Sequence, residues 1–148
     1  KIKFFERLKK RVKRNRVEEK VIFAGNISDM PAIYSIADVV LSTSIEPEAF
    51  GRVSAEGCAM SKPVISSNHG GSKDIIENEK TGWLVEPRNP RKLAEKIIQV
   101  INMPEKKKDQ IVKSARVRVQ KKFSLDQMLN KTINLYEELV ARRENINY

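Results

Sequence analysis

Gly51 stands between a short β-branched run, Val39-Val40-Leu41-Ser42, and a stretch of helical composition that reaches about Met60. This strand–glycine–helix step is the feature that most narrows the fold. A glycine there lets the backbone turn sharply and approach a ligand closely. The first N–H groups of such a helix lack carbonyl partners and, with the positive end of the helix dipole, form an anion site. Around the turn the chain reads Glu48-Ala49-Phe50-Gly51-Arg52-Val53-Ser54-Ala55-Glu56. Glu56 lies four residues past Arg52 and three past Val53, so it rises from the same helical face. A carboxylate beside a phosphate would repel it; one turn further on it suits a vicinal diol such as a ribose. A phosphate cradle, a diol acceptor behind it and a second carboxylate in front point to a nucleotide that carries a further group, such as a sugar.

The rest of the chain repeats the alternation. Val21 to Ala24 reads as a strand closed by Gly25, and Ser28 or Asp29 can cap a helix with Pro31 in its first turn that runs to about Ile36. Pro63 begins a strand Val64-Ile65-Ser66 that ends at the Asn68-His69-Gly70-Gly71 turn. A short helix near Lys73 to Glu77 and a turn at Thr81-Gly82 lead to a strand over Trp83 to Val85. Strands alternating with helices imply a parallel sheet with its ligand at the carboxyl ends of the strands, where these loops fall. The last third is helical. Leu93, Ala94, Ile97, Ile98 and Ile101 mark a helix between Pro90 and Pro104, and Ile111, Val112, Ala115 and Val119 mark another. Ser124 and Gln127 form a capping box with Phe123 and Met128 as a hydrophobic staple. Leu125, Leu129, Ile133, Tyr136 and Val140 supply the apolar face of the terminal helix, and only the end after Ala141 reads as a polar tail.

Composition removes several function classes. Of the 148 residues one is a cysteine, Cys58, and one a histidine, His69. An internal disulfide, a cysteine metal site, a histidine zinc site and a Ser-His-Asp triad therefore have little to stand on. Cys58 reads as a small buried packing residue and His69 as a turn residue, with ligand contact from the Gly70-Gly71 loop as its alternative. No G-x-G-x-x-G or Walker A pattern is present, and no Asp-x-Asp pair spaced for a metal. No apolar run approaches the ~20 residues that span a bilayer. The net charge of +10 is concentrated in Lys1, Lys3, Arg7, Lys9, Lys10, Arg11, Lys13, Arg14 and Arg16, around an apolar stripe of Ile2, Phe5, Leu8 and Val12. That basic face reads as a solvated helix surface, as a surface drawn to an anionic membrane, or, least, as a nucleic-acid contact. Nucleic acid ranks last because no aromatic residue is interleaved to stack bases.

Five blocks in order carry a family resemblance: Val21-Ile22-Phe23-Ala24-Gly25 with Tyr34-Ser35-Ile36-Ala37-Asp38; the Glu48-x7-Glu56 segment; Ala59-Met60-Ser61-Lys62-Pro63-Val64-Ile65-Ser66; Gly70-Gly71; and Thr81-Gly82-Trp83-Leu84-Val85-Glu86-Pro87. Together they resemble the C-terminal, donor-binding domain of retaining GT-B-type glycosyltransferases of family 4. The resemblance implies an α/β fold, a Rossmann-like parallel sheet flanked by helices. It implies one incomplete C-terminal domain over 1–148, divided into a basic helix (1–20), a βα motif core (21–87) and C-terminal helices (88–148). The family's two leading βα units and its N-terminal domain, with the acceptor site and the basic side chains that neutralise the diphosphate, are expected outside this chain, which alone would not turn over. In the family the terminal helix crosses to that other domain.

Carried over position by position, the resemblance makes Glu48 the catalytic carboxylate that faces the donor sugar. The N–H groups of Phe50 and Gly51 would lie beside that sugar and those of Arg52 and Val53 beside the diphosphate. Glu56 would hold the ribose diol, and Asn26 and Ile27 would border the base. Arg52 stands where an aliphatic residue is usual, and Asp74 where the family has Glu in its "GG-x-x-E" segment. The implied chemistry is sugar transfer from a nucleotide-diphosphate donor with retention, without a metal or other cofactor, to a cell-envelope glycan such as lipopolysaccharide. The lone cysteine and the lack of a secretory or membrane-spanning run point to the cytoplasm, with the inner face of the cytoplasmic membrane as an option for the basic helix. The rival reading is a non-catalytic basic module that binds an acidic polymer or a membrane surface.

Overall fold

The computed structural model describes residues 2–144, and the chain divides into two units, 1–30 and 31–148. Lys1 of the basic cluster and residues 145–148 of the polar tail lie outside the described residues.

The first unit holds α1 (Ile2–Arg14), which has no acidic residue in its first turn and Arg11, Lys13 and Arg14 in its last. Cations at a helix C-terminus sit well against the dipole. A 3-10 turn over Glu18–Lys20 follows, and Phe5 meets Phe23 edge to face with ring centroids 5.1 Å apart. The strand expected over Val21 to Ala24 does not form: residues 21–27 are irregular and Ile22 is 90% exposed. A β-branched run becomes a strand only where a neighbour completes its ladder. Gly25, at φ +73°, does turn the chain as the sequence implies.

The second unit is the α/β layer structure. It opens with α2 (Met30–Ile36), whose first residue is the last of the preceding unit, and continues β1 (Val40–Ser42), α3 (Arg52–Ala59), β2 (Val64–Ser67), α4 (Ser72–Ile75) and β3 (Trp83–Val85). The strands form a parallel sheet in the order β1-β2-β3, with Val40 opposite Val64, Ser42 opposite Ser66, and Ile65 opposite Trp83. β2 is central and buried along its whole length, as a strand covered on both faces must be. Next come α5 (Pro90–Ile101), capped by the Asn89 side chain on the Lys92 N–H, α6 (Glu105–Phe123) and α7 (Leu125–Glu144). Ser124 Oγ accepts from the Gln127 N–H at 3.3 Å, as its capping pattern predicts.

Ile65, Trp83, Val85, Val100 and Ile111 form the core cluster, with Val39, Leu93, Ile97 and Met103 packed on it. α6 also reaches α4: Arg118 donates to the carbonyls of Ile75 and Asp74, both at 2.8 Å, and to the Glu77 carboxylate. These bonds satisfy carbonyls that the short helix leaves open at its end. α7 keeps its apolar residues in solvent, Tyr136 at 67% and Val140 at 58%.

Candidate functional site

The site lies at the carboxyl edge of the sheet, where the loop between β1 and α3 meets the loop between β2 and α4. Two adjacent glycines bring these loops into backbone contact. A Cβ on Gly70 would stand 2.5 Å from the Glu48 carbonyl oxygen, and one on Gly71 would stand 2.3 Å from that of Phe50. The Gly71 N–H donates to the Glu48 carbonyl at 2.8 Å. Side chains at these positions would force the loops apart, so the glycine pair sets where Glu48 and Phe50 sit.

Four buried serines tie the same region together from below. Ser54 Oγ donates to Ser66 Oγ at 3.2 Å, Ser66 Oγ lies 2.8 Å from Ser72 Oγ, and it donates to the Ser42 carbonyl at 3.1 Å. One hydroxyl on the central strand thus links the end of β1 and the starts of α3 and α4. Each group is satisfied, which is the condition for a buried polar network to hold.

Gly51 enters α3 with φ +87°, a left-handed conformation open to glycine. Its carbonyl accepts from the N–H groups of Ser54 at 3.0 Å and Ala55 at 3.2 Å. The N–H groups of Arg52 and Val53 precede any intrahelical acceptor and form the open pair at the helix start. These are the two that the family resemblance would set beside a diphosphate. Phe50 and Val53 are exposed on this rim, at 44% and 38%, and Phe50 meets Phe123 edge to face at 5.7 Å.

The two carboxylates are held differently. Glu48 is half-buried and accepts from the Ser44 hydroxyl. The Ser44 carbonyl in turn accepts from His69 Nε2 at 3.0 Å. This bond places the proton of a neutral imidazole on Nε2 and leaves Nδ1 as a buried lone pair without a partner among the described residues. His69 therefore joins the two loops, the loop role foreseen for it. Glu56, on α3, accepts at Oε2 from the buried Tyr34 hydroxyl at 2.8 Å, and its Oε1 lies 3.5 Å from Arg52 Nε. Arg52 itself is 83% exposed, so its departure from an aliphatic residue appears as a solvated ion pair. Burial first, and then the hydrogen bond and charge of Glu56, push the Tyr34 hydroxyl up to about 12. Glu56 also lines a cavity of about 250 Å³ with Phe50, Arg52, Ala55, Val119 and Phe123.

Glu48, Phe50, Gly51, Arg52, Val53 and Glu56 are thus brought together on one strand–loop–helix segment. Asn26 and Ile27 lie in the irregular segment of the first unit, with Asn26 exposed and Ile27 half-buried; the strand end expected before them is absent. Sequence reasoning missed Tyr34, Ser44 and the serine network as parts of the site. Tyr34 stood in a recognised block, but a spacing of 22 residues carries no sign that its hydroxyl meets Glu56. Cys58 is fully buried, as expected. Among the described residues no three His, Cys, Asp or Glu side chains converge as metal ligands, and no helix is long and apolar enough to cross a membrane. A second cavity, about 320 Å³ and lined by Asp38, Lys62, Glu105 and Lys108 among others, opens at the amino ends of β1 and β2, away from this site.

Comparison with known proteins gives the same frame. The family described as Glycosyl transferases group 1 matches residues 2–118. The capsular polysaccharide biosynthesis glycosyltransferase CapM of Staphylococcus aureus is 32% identical over 124 residues, which are 84% of this chain and 32% of that protein. The crystal structure of a glycosyltransferase from Rickettsia africae superposes with a TM-score of 0.87 at 39% identity, over 93% of this chain and 37% of the other. Anabaena Alr3699/HepE, solved in complex with UDP-glucose, superposes with a TM-score of 0.88 at 26% identity, over 93% of this chain and 38% of that one. The chain thus spans about a third of the length of the proteins it matches.

Proposed function

The chain belongs to the glycosyl transferases of group 1, with a GT-B-type parallel sheet flanked by helices, and from that premise we propose that it forms the donor side of a nucleotide-sugar-dependent transferase. The observation that carries this reading is the single segment in which the open N–H pair of Arg52 and Val53 lies between the carboxylates of Glu48 and Glu56. An anion at the start of α3, a diol at Glu56 and a sugar at Glu48 reproduce the three parts of a nucleoside diphosphate sugar in order. That Anabaena Alr3699/HepE was solved with UDP-glucose supports a ligand of this class.

In this reading the N–H groups of Arg52 and Val53 and the α3 dipole stabilise the diphosphate as it leaves with negative charge. Glu48, steadied by Ser44, accepts hydrogen bonds from the donor sugar and stabilises its oxocarbenium-like transition state. The N–H groups of Phe50 and Gly51 flank the sugar, and Asn26 and Ile27 border the base through main-chain atoms. The transfer proceeds with retention of configuration and without a metal, the main-chain groups at the start of α3 adding to the basic side chains of the family's leading βα units. The acceptor site belongs to the family's N-terminal domain. The acceptor is a cell-envelope glycan, in keeping with the capsular role in the name of CapM. The reaction takes place in the cytoplasm, and the basic face of α1 is drawn to the anionic inner surface of the membrane.

Glu48→Gln in the full-length protein tests the assignment. It is expected to lower kcat while leaving the affinity for the bare nucleoside diphosphate nearly intact, the signature of an interaction made mainly in the transition state. Equal losses in turnover and nucleotide affinity would make Glu48 a structural carboxylate. Polymer binding that collapses with salt, in a protein that binds no nucleotide, would favour the non-catalytic basic module instead.

A further inference from the structure

We propose that Tyr34 is a positioning residue for the ribose-binding carboxylate: its buried hydroxyl fixes Glu56 in the orientation that accepts the diol. The inference rests on the reading of Glu56 as the diol acceptor and extends it to a residue on another element. Tyr34 projects from α2 and is 5% exposed, so its ring is held on all sides. Its hydroxyl meets Oε2 of Glu56 at 2.8 Å, a normal length for a hydroxyl donor to a carboxylate.

The contact has two consequences for a ligand. A free glutamate side chain is rotamer-rich, and freezing it on binding costs affinity; a carboxylate frozen beforehand avoids that cost. The second consequence is stoichiometric. An ionised carboxylate offers about four acceptor positions. Tyr34 takes one on Oε2, and Arg52, which is solvent-exposed, approaches Oε1. The positions left over are more than enough for the two donors of a vicinal diol. Tyr34 can act only as a donor to the charged carboxylate, and its raised pKa keeps the proton in place across the working range.

Calorimetry on the full-length protein tests this with whichever of UDP, GDP or ADP binds most tightly and with its 2′,3′-dideoxy analogue. Tyr34→Phe keeps the buried ring and removes the bond. It is expected to weaken the ribonucleotide about tenfold and to leave the dideoxy analogue unchanged. Glu56→Ala should show the same selectivity, and the double variant should bind no more weakly than Glu56→Ala alone, since Tyr34 acts through Glu56. If Tyr34→Phe weakens both nucleotides equally, its role is structural and the proposal falls. If Glu56→Ala is selective and Tyr34→Phe binds both ligands as wild type, the proposal falls while the diol reading stands. If Glu56→Ala leaves the ratio of the two affinities unchanged, the diol reading itself falls and takes the proposal with it.

Discussion

Adding one methyl group at Gly71 should disturb the site from outside it. Gly71 has φ −61°, a conformation alanine adopts freely, so Gly71→Ala carries no backbone penalty of its own. The new Cβ would fall 2.3 Å from the Phe50 carbonyl oxygen, 2.5 Å from its carbonyl carbon and 2.6 Å from its Cα. All three are main-chain atoms, so no rotamer change relieves the clash. Reaching an ordinary contact needs a shift of about 1 Å between the loops, an overpacking that costs about 1–3 kcal/mol. The same shift stretches the 2.8 Å bond from Gly71 to the Glu48 carbonyl, and its loss adds about 0.5–1.5 kcal/mol. The sum, about 1.5–4.5 kcal/mol, corresponds to a fall in melting temperature on the order of 10 °C. Because Phe50 and Gly51 move with the loop, turnover of the full-length protein should fall as well, on the order of 10²-fold for a displacement near 1 Å. Thermal melts and single-turnover assays read the two effects. Gly25→Ala is the control: its φ is +73° and a Cβ meets nothing within 4 Å, so only the left-handed penalty of about 1–2 kcal/mol applies. A Gly71→Ala protein that melts and turns over like the wild type would refute the argument that loop contact sets the site.

Ser66→Ala should cost about 1–3 kcal/mol in urea unfolding, because it leaves the buried hydroxyls of Ser54 and Ser72 and the Ser42 carbonyl short of a partner; an unchanged midpoint would mean the network carries no stability. Alkaline pH should weaken the fold through two groups. Burial pushes the Cys58 thiol up from 9.0 to about 12, and burial with Glu56 pushes the Tyr34 hydroxyl up from 10.0 to about 12. Both pKa values are raised on folding, so the stability they contribute is complete below the unfolded values and lost as pH rises towards 12. Urea midpoints should therefore fall from pH 9 upwards, less steeply in Tyr34→Phe, while Cys58 resists iodoacetamide at pH 8; a flat profile from pH 9 to 12 would contradict this.

Much of the fold was legible because its signals are local. Gly51, the β-branched runs and the Ser124 cap each dictate structure within a few residues, and β1, α3, β2, β3 and the terminal helices formed where those signals fall. Val21 to Ala24 misled because β propensity is local while strand pairing is not. The six residues expected to form the donor site, from Glu48 to Glu56, fall together because their segment is continuous in the chain. Tyr34, Ser44 and Ser66 were not legible, since each acts through a partner on another element. A serine in a strand reads as a polar interruption until its neighbours across the sheet are known.

The open start of α3 has a consequence for how the protein meets a change of medium or of sequence. The groups it leaves open are amides, which neither gain nor lose a proton between about pH 5 and 9, unlike a histidine. An anion there would meet donors whose own charge does not change over that range. The same amides belong to the main chain whatever side chains Arg52 and Val53 carry. Exchanging those side chains leaves the amides in place, while a change at Gly51, whose φ of +87° sets their direction, does not.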